Sequence, residues 1–214
     1  MKRLVFSILL VSMFVVSNSI YAQDEAPKSK RVLPSNAQLA DQPHNVFKVS
    51  IGPAMVFSKF YVGNPSMVYN HRWGFDLMGD LQHIWDWGWG IGFNYAFNHT
   101  SFGSEGFSVH YVGPSVVYAR RLVGGLGIDA SVGLGYGRFV EETHYRVYRS
   151  ALARNGFGTI MQFGVEYLIT DNFGIGIDTN LLTVLTKKNE SELPEEEAFG
   201  VRRFNILAGL RVYF

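Results

Sequence analysis

The sequence predicts an all-β protein, an eight-stranded antiparallel up-and-down transmembrane β-barrel. Three observations lead to this prediction. Segments at least as long as the roughly 9–11 residues of a tilted membrane-crossing strand alternate between large apolar residues and small or polar residues. The connections between these segments alternate between short and long. The face with the large apolar side chains has too much volume for the inside of an eight-stranded barrel, whose interior is just wide enough for side chains to fill.

The composition agrees with an exported membrane protein. Of the 214 residues, 47% are hydrophobic, 15% are aromatic and only 17% are charged, which is poor in charge for a soluble domain. The formal net charge of +1 gives no reason to expect nucleic acid as a partner. The chain has no cysteine, which excludes disulfides, thiolate metal sites and a cysteine nucleophile.

The amino-terminal segment predicts export. Two basic residues precede an apolar run from Leu4 to Val16, and Ala22 offers a small residue for cleavage, so we interpret residues 1–22 as a signal peptide. The run is shorter than the roughly 20 residues that a spanning helix needs. Residues 23–45 are polar and contain three prolines, which predicts a flexible periplasmic tether. Residues 46–214 are left for the barrel.

The first four predicted strands cover residues 46–57, 72–82, 88–98 and 107–120. The third has the clearest pattern, because large apolar residues at every odd position alternate with glycine, asparagine or alanine. Pro53 in the first strand lacks an N–H group for the ladder. In the fourth strand, the apolar set Phe107, Val109 and Tyr111 loses its phase at Gly113-Pro114. Both interruptions predict β-bulges.

The last four predicted strands cover residues 126–138, 157–169, 173–185 and 203–214. In each, aliphatic and aromatic residues alternate with a set that is mostly glycine or polar. The final strand keeps this pattern from Arg203 to the terminal Phe214. Aromatic residues near the strand ends, including Tyr213 at the short-turn end and Phe107 at the long-loop end, predict two aromatic belts.

The connections predict how the barrel is oriented. Three are short, at residues 84–87, 122–125 and 170–172. Four are longer, at residues 58–71, 99–106, 139–156 and 186–200. Short turns at one end and long loops at the other are typical of bacterial outer-membrane barrels. We therefore expect a periplasmic amino terminus and extracellular long loops.

Charged residues fall on the glycine-rich face, which the volume argument turns toward the lumen. Charges in a narrow lumen must be paired or solvated, which predicts a salt-bridged plug; a narrow pore is the alternative. Arg211 is expected to bridge acids on neighbouring strands, with Glu166 or Asp178 as partner. Asp129 shares this face. The predicted charge network consists of Lys48, Asp76, Asp80, Glu166, Asp178, Arg203 and Arg211.

The signal peptide, the eight strands and the ending Leu210-Arg211-Val212-Tyr213-Phe214 resemble the small eight-stranded outer-membrane barrels, the OmpA-transmembrane or OmpX-like porin family. Leu210, Val212 and Phe214 are similar to the signal that the outer-membrane insertion machinery reads. The resemblance implies a monomer in the outer membrane of a Gram-negative bacterium, in contact with lipopolysaccharide and without a cofactor. The family includes anchors, adhesins and small channels. It therefore implies a structural or surface-interaction role, with a narrow solute channel as the alternative.

One short motif has the residues for catalysis. His99-Thr100-Ser101 resembles the His-x-Ser pair of outer-membrane lipid A deacylases, with Glu105 as a candidate acid, although Phe102 stands where that family has asparagine. A lipid A-modifying hydrolase is thus a second alternative, while the expectation is that the protein is not an enzyme.

The long loops contain further charged residues. Arg146, Arg149 and Arg154 in the third long loop could bind lipopolysaccharide phosphates or pair with the glutamates of the fourth. The histidines show no metal-ligand spacing, so no metal site is predicted.

Overall fold

The computed structural model describes residues 44–57, 60–61, 68–69, 72–102, 105–145, 148–186 and 199–214. These residues form ten strands and one short 3-10 turn at Val123–Gly125. The strands are β1 (His44–Val56), β2 (Phe60–Tyr61), β3 (Val68–Tyr69), β4 (Arg72–Ile84), β5 (Trp89–Phe102), β6 (Glu105–Arg121), β7 (Leu126–Tyr145), β8 (Tyr148–Thr170), β9 (Phe173–Thr186) and β10 (Phe199–Tyr213).

Eight of the strands close into an antiparallel barrel, so the predicted fold class is confirmed. Each strand pairs with its neighbours in the chain, and β1 closes the barrel by pairing with both β10 and β4. The remaining two, β2 and β3, pair with each other as a separate two-stranded sheet. All eight predicted strands are present. The end of the barrel with the three short turns is called the turn end below, and the opposite end the loop end.

The two faces of the barrel have the predicted polarity. Large apolar side chains point outward and are exposed, as shown by Leu134 at 54% and Ile177 at 57%. Polar and charged side chains point inward, and Asp178 and Arg203 are 0% exposed. A water-soluble barrel would have to expose polar groups. This exterior instead offers hydrocarbon-like side chains to its surroundings, which matches the lipid-facing band of a membrane barrel.

Two of the four predicted long loops are strand extensions instead. The β5–β6 ladder continues to Phe102 opposite Glu105, and the β7–β8 ladder continues to Tyr145 opposite Tyr148. The β8–β9 ladder, by contrast, begins only at Gly156. The sequence signal failed here because an extension beyond the membrane need not present an apolar face to lipid, so its alternation fades.

Both bulge predictions were wrong. In the β1–β10 ladder, Ile51 pairs with Ala208 and Ala54 with Asn205, so the register is the same on both sides of Pro53. The β6–β7 register is likewise unchanged across Gly113-Pro114. A bulge needs an extra residue on one strand, and neither position has one. Ladder pairs are missing there, but the side chains keep their faces.

Because the register is preserved, one set of side chains that was predicted to face outward faces the lumen instead. Phe107, Val109 and Tyr111 are inward and 0% exposed. Tyr213 is also inward and buried, so neither it nor Phe107 belongs to an exterior aromatic belt. Exposed aromatic side chains near the turn end include Trp87, Trp89 and Phe214.

Several predictions lie outside the described residues. The signal peptide, almost all of the tether, Arg146 and the glutamates of the fourth long loop belong to this group. Within the described part of the chain, no helix has the length and apolar character needed to cross a membrane.

Candidate functional site

Two polar contacts cross the whole lumen. Lys48 Nζ on β1 lies 2.7 Å from Asp129 Oδ1 on β7, and these strands are four apart in either direction around the barrel. Gln162 Nε2 on β8 donates to Asp80 Oδ2 on β4 at 3.0 Å, again between opposite strands. Asn94 Nδ2 donates to the other oxygen of Asp80 at 2.7 Å. Side chains that meet from opposite walls leave no open path between them.

Arg211 connects two acids on neighbouring strands. Its Nη2 lies 2.6 Å from Asp178 Oδ1 on β9, and its Nε lies 3.5 Å from Glu166 Oε2 on β8. The sequence placed both acids on its face, and the structure brings all three groups together. Arg121 Nη1 lies 3.6 Å from the second oxygen of Glu166. With the Lys48 contact these residues form the ionic cluster: Lys48, Arg121, Asp129, Glu166, Asp178 and Arg211.

A separate ion pair lies nearer the loop end of the lumen. Arg203 Nη2 is 3.2 Å from Asp76 Oδ1, and both side chains are fully buried. Asn205 donates to Asp76 and also to Asn180 Oδ1, at 2.5 Å for the latter. The amide thus extends the pair across β9, β10 and β4. Buried charges that are paired and hydrogen-bonded in this way avoid most of the desolvation penalty of an isolated ion.

Glycine makes the ionic cluster sterically possible. A Cβ atom on Gly176 would lie 2.7 Å from Arg211 Cζ, closer than real Cβ contacts. A Cβ atom on Gly164 would contact the carboxylates of both Asp129 and Asp178. The alternation of glycine and charge along these strands therefore provides the volume into which the long charged side chains extend.

Toward the loop end, apolar side chains fill much of the lumen beside the Arg203–Asp76 pair. On β7, Asp129 of the ionic cluster follows the strand start closely, whereas Phe139 lies ten residues nearer the loop end. Phe107 and Phe139 stack with ring centroids 5.3 Å apart. We call this group the apolar cluster: Val56, Met78, Ala96, Phe107, Val109, Tyr111, Phe139, Ile160, Leu182, Val184, Val201 and Leu207.

The turn end of the lumen is nearly closed as well. A cavity of about 20 Å³ is lined there by Lys48, Asp129, Arg121 and Tyr213 among others. That volume is close to the space one water molecule needs. The Arg121 guanidinium lies 4.3 Å from the centre of the Tyr213 ring and covers it. The inward Tyr213 thus helps to close this end.

The candidate catalytic motif has a different geometry from the predicted one. His99 Nδ1 is hydrogen-bonded to Ser108 Oγ at 3.1 Å, its direct cross-strand neighbour on β6, while Ser101 is exposed on β5 opposite Gly106. Glu105 lies on β6, and its side chain is not described. This arrangement gives catalysis little support.

The structure places two of the arginines that were assigned to the third long loop in a strand instead. Arg149 and Arg154 are residues of strand β8, and Arg154 is inward and 9% exposed. Arg154 therefore faces the lumen, and the lipopolysaccharide contact of these arginines stays a prediction. The side chain of Arg149 is not described.

Sequence reasoning missed some members of the polar lumen. Asp129 was placed on the inward face but not in the network, and Arg121 was not considered because it ends a strand. The amides Asn94, Gln162, Asn180 and Asn205 were missed as hydrogen-bonding partners of the acids. The available signal was that each amide lies on the inward face of its strand, an even number of residues from other inward positions. Among the described residues, no group of three or more acidic or histidine side chains is placed to hold a metal ion.

Comparison with solved structures identifies the fold. Neisserial surface protein A is 16% identical over 79% of this chain and 97% of its own, with a TM-score of 0.58. Ail of Yersinia pestis is 13% identical over 81% of this chain and 99% of its own, and OprG of Pseudomonas aeruginosa is 10% identical over 82% and 98%, both with a TM-score of 0.49. No family model and no curated protein sequence matches the chain. The fold is that of the small eight-stranded outer-membrane barrels.

Proposed function

We propose that this protein is an integral outer-membrane barrel with a plugged lumen and a structural or surface-interaction role. The observation that carries the proposal is the inverted polarity of the barrel: charged side chains inside are buried and paired, while large apolar side chains outside are exposed. An exterior of this kind is stable only against hydrocarbon. The exported precursor, the periplasmic tether and the extracellular loop end are parts of the same proposal.

The channel alternative receives less support from the lumen. Lys48 meets Asp129 across the full width of the barrel, and Gln162 meets Asp80 in the same way. Conduction would require these contacts to separate and their charges to be solvated together. The apolar cluster adds a second obstruction toward the loop end. A lumen that is closed both by polar contacts and by apolar side chains favours an anchor or a platform for surface loops over a solute pore.

Two measurements test the proposal. The chain without residues 1–22 should require detergent to stay monodisperse and should migrate on gels as a compact species that changes mobility on boiling, as closed barrels do. In planar bilayers the folded protein should show no steady conductance, with an open sixteen-stranded porin as the positive control. Solubility without detergent would overturn the membrane assignment. Steady single-channel currents from the folded protein would overturn the plug and favour the channel.

A further inference from the structure

One exterior surface, on β5 to β8, combines polar and apolar side chains. Outward-facing residues of β5, β6, β7 and β8 align in cross-strand rows near the loop end. One row is Phe97, His110, Arg138 and Asn155; the row toward the turn end is Tyr95, Val112, Tyr136 and Phe157. Below the second row the same strands present only apolar residues and Thr159 for several further rows. The polarity of the exterior therefore changes over these two rows.

The tyrosines mark this boundary. Tyr95 Oη lies 3.1 Å from His110 Nδ1, and Tyr136 Oη donates to Asn155 Oδ1 at 2.6 Å. Both rings lie on the apolar side and both hydroxyls reach toward the polar row. Amphipathic rings with this orientation are typical of the level of lipid headgroups. Arg138 and His110 are accordingly at headgroup depth.

Arg138 is an exposed cation that forms no salt bridge with a described residue. Its direct cross-strand neighbour is His110, and among the described residues no carboxylate forms a salt bridge with it. The described side chains that face outward from the strands include three charged residues, Arg120, Arg138 and Arg202, all of them cationic. A guanidinium beside an imidazole, both facing the lipid side, is complementary to an anion from outside the chain.

The surface beside Arg138 is also concave. A cavity of about 410 Å³ opens there, and its outward-facing lining residues are Tyr95, His110, Val112, Tyr136, Arg138 and Val140. Two tyrosine rings flank it, valine side chains form part of its lining, and the two nitrogen-bearing side chains lie on its polar side. This combination fits a ligand with an anionic group attached to an apolar body.

We infer that this cavity binds one phosphorylated glycolipid of the outer leaflet, with the lipid phosphate on Arg138 and His110 and an acyl chain between Tyr95 and Tyr136. If the Tyr95 hydroxyl donates to Nδ1 of His110, the ring proton lies on Nε2, which can then donate to the phosphate. Arg138 can donate two parallel hydrogen bonds to the same group. This inference rests on the proposed outer-membrane location, and it places a lipopolysaccharide contact on the barrel wall in addition to the one predicted for the third-loop arginines.

The probe for the test is diphosphoryl lipid A in mixed detergent micelles, with the folded barrel as the partner. The Arg138→Gln variant should raise the Kd about tenfold, since a charge-assisted contact contributes that much or more. Arg138→Lys keeps the charge but loses the two parallel donors, so its Kd should rise less, about threefold. Arg120→Gln removes an outward arginine at the turn end and is the matched control, for which we expect an unchanged Kd.

Two further ligands identify the recognised chemistry. Lipid A stripped of its phosphates should bind about as weakly to the wild type as diphosphoryl lipid A binds to Arg138→Gln. Phosphatidylglycerol should bind at least several-fold more weakly than diphosphoryl lipid A, because it has a smaller headgroup and a single phosphate; equal binding would overturn the assignment to a glycolipid. Equal affinity of wild type and Arg138→Gln for diphosphoryl lipid A would overturn the site itself.

The failure of this inference is distinguishable from failure of the proposed function. Circular dichroism and heat-modifiable migration report whether each variant forms the barrel, independently of lipid A. A folded barrel that is indifferent to phosphate would overturn the lipid site and leave the membrane assignment standing. A chain that is soluble without detergent would overturn both.

Discussion

The ionic cluster and the apolar cluster occupy the same lumen, yet they exclude water by different means. In the ionic cluster, Lys48 and Asp129 come from opposite walls, and Arg211 lies between Glu166 and Asp178. In the apolar cluster, Phe107 and Phe139 stack with branched aliphatic residues around them. Within one barrel, long charged side chains beside glycine therefore fill the ionic cluster, and bulky side chains fill the apolar cluster, which lies beside the Arg203–Asp76 pair.

The two clusters should therefore be destabilised by different kinds of substitution. A buried ion pair gains little net stability over an apolar replacement, but the loss of one partner leaves an uncompensated charge. A packed apolar group instead loses transfer free energy and gains a cavity when it is truncated. The ionic cluster should thus depend on complementary pairs, and the apolar cluster on volume. The following variants test that contrast by unfolding in denaturant, followed by tryptophan fluorescence in detergent micelles.

The largest effect is expected for Arg211→Ala. This variant leaves two buried carboxylates, Glu166 and Asp178, without their shared cation, and we expect it to lower the free energy of unfolding by about 4 kcal/mol. Arg202→Ala on the same strand, where the side chain is exposed, is the matched control and should cost about 1 kcal/mol or less. Similar losses for both variants would show that the ionic cluster is not specifically destabilised.

A smaller loss is expected for Phe139→Ala in the apolar cluster. The ring is fully buried and stacks on Phe107, so its removal should cost about 3 kcal/mol through lost burial and a residual cavity. Phe139→Leu keeps most of the volume and should cost about 1 kcal/mol. If leucine were as costly as alanine, volume would not be the property that this cluster depends on.

The smallest net effect is expected for the double variant Lys48→Met/Asp129→Leu. Replacement of both partners by apolar residues removes the pair together with its desolvation penalty, so stability should stay within about 1 kcal/mol of wild type. Lys48→Met alone leaves Asp129 buried without its cation and should cost about 3 kcal/mol. A double variant as unstable as the single one would show that the trans-lumen pair itself stabilises the barrel. The ionic cluster would then depend on more than the complementarity of its pairs.

The sequence was informative wherever a strand faces lipid. Alternation located all eight barrel strands, and it placed Arg211, Glu166 and Asp178 on one face because side chains repeat every two residues. It was misleading for Phe107, Val109 and Tyr111, since an apolar face was equated with the outside. Inward and outward apolar residues give the same period, so alternation alone could not distinguish the apolar cluster from the lipid-facing band.

The candidate sites were predicted less completely than the fold. His99 was predicted as a candidate catalytic residue together with Ser101, whereas its hydrogen-bonding partner in the structure is Ser108. Residues two apart on a strand share a face yet lie far from each other, whereas a cross-strand neighbour is in contact. The pairing of Arg138 with His110 was missed for the same reason, because the register between two strands is not contained in either strand.

The sequence by itself determined the number of barrel strands, the polarity of most of the barrel wall and the burial of seven charged residues, because these follow from a period of two and from the volume that eight strands enclose. Only the tertiary structure decided which charges meet across the lumen, that one part of the lumen is apolar, and that an arginine and a histidine share a concave exterior surface. Those contacts depend on register and on barrel closure, which bring together residues that are distant in the chain.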